Sequence, residues 1–63
     1  MNTLLKERIV RTWLDWELLH LGGNLYELYR FVNSSWVRFT IFTANNDVTA
    51  LERINEVVSS DIQ

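Results

Sequence analysis

The sequence predicts a small α+β domain in the order helix, β-hairpin, helix. Three observations lead there. Short polar or glycine clusters, Gly22-Gly23-Asn24, Asn33-Ser34-Ser35 and Asn45-Asn46-Asp47, cut the chain into four segments. The outer two segments carry apolar residues at helical spacing. The inner two are rich in aromatic and β-branched residues. The expected elements are a helix at about 3–20, strands at about 25–32 and 36–43, and a helix at about 47–60, all in one domain spanning 1–63. The alternative is a three-stranded antiparallel meander followed by a C-terminal helix.

The first segment is the ambiguous one. At 100° per residue, Leu5, Ile9, Val10, Trp13, Leu14 and Trp16 share one half of a wheel, opposite Glu7, Arg8, Arg11, Thr12 and Asp15. Glu7/Arg11 and Arg11/Asp15 are opposite charges four apart, each adding a few tenths of a kcal/mol to a helix (~0.2–0.5). Gly22 and Gly23 then suit a left-handed C-cap. Against this, Leu18 and Leu19 fall on the polar side. Val10, Thr12, Leu14, Trp16 and Leu18 also alternate with Arg11, Trp13, Asp15 and Glu17, the period of a strand. Helix is preferred, and residues 9–19 stay open between the two.

In the hairpin, Val37, Phe39 and Ile41 alternate with Arg38 and Thr40. With a two-residue loop, Tyr26, Leu28, Arg30 and Val32 share a face with Val37, Phe39 and Ile41. Tyr29, Phe31, Trp36 and Phe42 then lie on the other face beside Glu27, Arg38 and Thr40. In the last segment Ala50, Leu51, Ile54, Val57 and Val58 fill one arc and Glu52, Arg53, Asn55 and Glu56 the opposite one, with Asn46 or Asp47 as N-cap. The order helix–strand–strand–helix resembles that of the small lambdoid phage head–tail joining protein, a likeness of element order that no motif here carries.

Composition narrows the function. A chain of 63 residues buries only about 60% of the surface its unfolded form exposes. It has no cysteine for disulfides and one histidine, too few ligands for a Cys/His metal site, so dense packing or oligomerisation must stabilise it. Its 48% hydrophobic content sets it apart from disordered chains. No apolar run approaches the ~18 residues of a membrane span, and Met-Asn-Thr-Leu-Leu-Lys-Glu-Arg lacks a signal peptide's apolar stretch. The expected compartment is cytoplasmic, with no membrane partner.

Chemistry-bearing residues are sparse. His20 is the lone group titrating near neutrality, placed by the helix reading at a helix C-terminus where its cation suits the dipole. Neither Glu17 nor Ser34 stands at a spacing that makes it catalytic. Glu52 and Glu56 read as a solvated helix face. No catalytic residue, cofactor or metal site is expected, and the chain reads as not an enzyme.

Charge is uneven: residues 1–40 sum to +1 and residues 41–63 to −3. Arg38 among Trp36, Tyr29 and Phe31 is a surface on which single-stranded bases can stack. A nucleic-acid-binding regulator using Arg8, Arg11, Arg30 and Arg38 is therefore the second function, opposed by an acidic pI of about 5.1. The plainer role for Arg30 lays its stem on the core and its head on water or the face of Trp16.

All eight aromatics lie between Trp13 and Phe42. A first helix packed on the hairpin's second face would draw them into one core. Left open, that face would expose on the order of several hundred Å², as much as a monomer usually tolerates. Aromatic residues and arginine are the types enriched at interface hot spots. The leading expectation is a non-enzymatic protein-interaction module acting through Tyr29, Phe31, Trp36, Arg38 and Phe42. Its partner would be itself, as a dimer or higher oligomer, or a larger protein that it inhibits or adapts. Chains of this size fit the accessory proteins of phages and mobile elements.

Overall fold

The structure, a computed structural model, describes residues 8–62, with side chains through residue 60. Four strands, β1 (Arg8–Thr12), β2 (Trp16–Gly22), β3 (Leu25–Val32) and β4 (Ser35–Thr43), precede one helix, α1 (Asp47–Ile62). The strands form one antiparallel sheet in the order β1-β2-β3-β4, each joined to the next by a short turn. The described residues form a small α+β domain with four strands and one helix.

The expected helix over 3–20 is corrected where the chain is described: residues 8–22 form two strands, and residues 3–7 lie outside the described residues. The meander alternative is closer and differs by one strand, because this segment supplies two. The likeness in element order to the head–tail joining protein lapses with the helix. Its cause is that β2 is a central strand. Trp16 and Leu18 are buried beneath α1 while Leu19 is buried on the opposite face, so the strand does not alternate cleanly between apolar and polar. Its backbone is paired on both edges, to β1 and to β3. Gly22 (φ 128°) and Gly23 (φ 55°) supply positive φ to a hairpin turn rather than to a helix cap.

The β3–β4 hairpin has the two-residue loop, Asn33-Ser34, both at positive φ as in a type I′ turn. Its faces are only partly as expected. Leu28 pairs with Thr40 but Tyr29 with Arg38, which leaves Phe39 as the extra residue of a β-bulge. Before the bulge Val37 faces the helix side with Arg30, as anticipated. After it the parity inverts, so Thr40 and Phe42 turn to the helix side and Ile41 to the open one. Phe42 stacks on Tyr26 at 5.8 Å with the Arg53 guanidinium above it at 5.9 Å, and so leaves the aromatic face assigned to it.

The last segment behaves as its periodicity requires. Asn46 is the N-cap, its Oδ1 accepting from the Thr49 amide at 2.8 Å, and Asp47 sits in the first turn. Ala50, Ile54 and Val58, four apart, bury one stripe against Trp16, Leu18, Tyr26, Leu28 and Ala44. Leu51 packs at the margin of this core and Val57 is exposed. The Arg30 guanidinium lies 5.2 Å over the Trp16 ring, the plainer of its two expected roles.

Candidate functional site

One helix covers one face of the sheet, and no described element packs on the other. The ladder pairing sets out that open face row by row. Ile9, Leu19, Glu27 and Ile41 stand side by side across all four strands. Thr12, Glu17, Tyr29 and Arg38 form the next row, and Phe31 with Trp36 the one beyond. Exposure is high for groups of this kind: Ile9 58%, Phe31 41%, Trp36 43% and Ile41 43%. Phe31 and Trp36 meet at 5.1 Å, a cross-strand aromatic pair held at the edge of the face.

A charge sits in the middle of this apolar ground. Arg38 Nη1 donates to Glu27 Oε2 at 3.0 Å, and the Glu27 side chain is 8% exposed against 55% for Arg38. Arg38 thus caps a carboxylate sunk between Leu19 and Ile41 and presents its remaining donors to solvent. Glu17 stands on the same face, with the Thr12 hydroxyl donating to it at 3.3 Å.

Of the five residues assigned to an interaction face, Tyr29, Phe31, Trp36 and Arg38 are together here, and Phe42 is on the helix side. Ile9, Glu17, Leu19 and Ile41 also belong to the face and were not singled out. The period-2 pattern carried the signal for Glu17, but the bulge hid Ile41, since nothing in Trp-Val-Arg-Phe-Thr-Ile-Phe announces an extra residue.

A second polar cluster joins the first strand to the helix. Arg8 Nη2 donates to both oxygens of Asp47 at 3.1 Å and lies 2.9 Å from His20 Nδ1. The Tyr26 hydroxyl donates to Asp47 Oδ1 at 2.8 Å, and His20 Nε2 lies 2.8 Å from the Gly23 carbonyl. A guanidinium only donates and a carbonyl only accepts, so the two contacts suit the imidazole tautomer in which Nδ1 accepts and Nε2 donates. His20 therefore lies mid-strand, stacked on Tyr26 at 4.5 Å, and not at a helix terminus. The Tyr26 hydrogen bond and then Arg8 hold the Asp47 carboxyl below its ordinary 3.8, against the opposing effect of its burial. Burial and then Asp47 push the Tyr26 hydroxyl up.

The cluster is a clamp with a predictable acid limb. Because the folded state depresses the Asp47 pKa, its contribution is fully present above 3.8 and is lost as pH falls through the lower folded value. With Asp47 38% exposed, that contribution is on the order of 1 kcal/mol or less. Asp47→Asn should lower stability at pH 6 by about this much and converge with wild type in urea melts near pH 2. A constant difference across that range would contradict the assignment.

The four arginines proposed for nucleic acid do not converge. Arg8 is held by Asp47, Arg11 lies 5.3 Å over Trp13, and Arg30 lies over Trp16, all on the helix side, while Arg38 is on the open face with Glu27. Among the described residues no group of three His, Cys, Asp or Glu could share a metal ion. No helix among them is long and apolar enough to cross a membrane. No family model, curated protein or solved structure matches the chain.

Proposed function

We propose that this protein is a non-enzymatic protein-interaction module that acts through the open face of its sheet. The observation that carries the proposal is an aromatic and aliphatic face, Ile9, Tyr29, Phe31, Trp36 and Ile41, on which no described element packs. Exposed apolar ground of this kind, enriched in Trp, Tyr and Arg, is the composition of interaction hot spots. Arg38 adds a polar anchor inside it, already oriented by Glu27. A cysteine-free chain suits a reducing cytoplasm, which is the compartment proposed for it.

The test compares two exposed sites on opposite faces. Ile41→Arg puts a cation on the open face beside Glu27, its direct cross-strand neighbour, so the new charge has a partner within the fold. Val37→Arg puts the same charge on the helix side. Crosslinking in cells that make the chain is expected to give the same adducts for wild type and Val37→Arg and to lose them for Ile41→Arg. Identical adducts for all three, or none for wild type, would overturn the proposal.

A further inference from the structure

Beyond the open sheet face, we infer that the end of the sheet carrying the β1–β2 and β3–β4 turns is a lipid-docking surface, which enters the interfacial layer of a phospholipid bilayer. Three observations carry this.

The first is where the exposed apolar side chains stand. In an antiparallel meander the first and third turns share one end, and here the Phe31 amide donates to the Asp15 carbonyl at 2.8 Å, tying the two turns together. Among the described residues eleven large apolar side chains are exposed, and five of them, Leu14, Phe31, Val32, Trp36 and Val37, lie in or beside these turns. Two, Leu25 and Val48, stand at the opposite end, among the polar connections Gly22-Gly23-Asn24 and Asn45-Asn46-Asp47. The molecule therefore has one polar end and one apolar end.

The second is shape. Leu14 is 84% exposed in a turn closed by the Trp13 amide on the Trp16 carbonyl at 2.8 Å. A leucine so placed gives the fold almost no packing, and Trp13 lies half-buried beside it. The Asn33-Ser34 turn projects from the next hairpin at the same end. Convex tips suit a fluid surface that closes around them, whereas protein hot spots sit in well-packed pockets. Phe31 and Trp36 stand at the base of the second tip, and aromatic side chains favour the layer between acyl chains and water.

The third is the cations. Arg30 is one residue behind Phe31, and the Arg11 guanidinium reaches 5.3 Å over the Trp13 ring. At ~3.3 Å per residue, an end inserted by about 5–10 Å brings both groups to the depth of the lipid phosphates. There an arginine stem lies along apolar ground while its head binds phosphate oxygens. The one carboxylate side chain in these two turns is Asp15. No membrane partner is expected of a chain without a spanning segment, but this contact needs none, because only side chains enter one leaflet.

Pelleting of the full chain with vesicles of phosphatidylcholine and phosphatidylserine tests this. Wild type is expected to pellet, and its tryptophan emission to shift to shorter wavelength as Trp13 and Trp36 leave water. Leu14→Glu and Trp36→Gln change exposed positions and are each expected to weaken partitioning roughly tenfold, while Leu14→Phe retains it. Ile41→Arg, in the middle of the open face, should pellet at least as well as wild type. Circular dichroism confirms that each variant is folded, and either weakening variant suffices if the other is not. A wild type that stays in the supernatant overturns the inference. So do Leu14→Glu and Trp36→Gln chains that pellet like wild type, or loss of pelleting in Ile41→Arg, which would move the lipid contact to the sheet face. A wild type that ignores vesicles while its adducts in cells stay sensitive to Ile41→Arg overturns this inference and leaves the interaction proposal standing.

Discussion

Trp16→Ala is expected to leave the chain largely unfolded at room temperature. Trp16 is 1% exposed and stands at the meeting point of sheet and helix, with Phe39 edge-on at 5.1 Å and the Arg30 guanidinium over its ring. Truncating a buried Trp costs about 3–5 kcal/mol, through lost transfer energy and the cavity left behind. A core in a chain this short rarely supplies more than about 3–5 kcal/mol in all. The rest of the core is small: Leu18, Leu28, Ala44, Ala50, Ile54 and Val58 beside Tyr26. No described element on the far face of the sheet can collapse into the gap. Trp16→Phe keeps an aromatic against Phe39 and should retain a cooperative transition at lower midpoint. Urea denaturation followed by far-ultraviolet circular dichroism checks both, and a cooperative Trp16→Ala transition near the wild-type midpoint would show that this ring is not central.

Arg38→Ala should cost about 1–3 kcal/mol, although Arg38 is itself more than half exposed. The cost falls on Glu27, whose carboxylate stays sunk between Leu19 and Ile41 without its ion partner. Removing one member of such a pair leaves an uncompensated charge, whereas replacing the buried member by an apolar residue removes the desolvation cost with it. Glu27→Leu is therefore expected to be neutral or stabilising, and to abolish the cost of Arg38→Ala in the double variant. Equal losses from the two single changes would mean that the pair itself supplies stability. In that event its persistence on the open face would need no role in recognition.

The two hairpin strands and the last helix were legible because their signals are local. Asn33-Ser34 tolerates the left-handed backbone of a two-residue loop, and Asn46-Asp47 opens a helix whose apolar residues recur every fourth position. The first segment was not legible. Val10 to Leu19 satisfies a helical and a strand period about equally, and glycines with positive φ end helices and turn hairpins alike. The candidate face was readable as an aromatic surplus and as four of its members, Tyr29, Phe31, Trp36 and Arg38. It was unreadable at Phe42 and Ile41, where one unannounced bulge exchanges the two faces.

By itself, then, the sequence determined a small chain without cysteine, its turns, its C-terminal helix, and a concentration of aromatics between Trp13 and Phe42. Those properties follow from composition and from interactions a few residues apart. Only the tertiary structure decided that the ambiguous segment pairs as two strands, because β3 offers it a ladder and α1 offers Trp16 and Leu18 a cover. It alone decided which aromatics are core and which stand on the open face, since one helix can bury only one side of a four-stranded sheet.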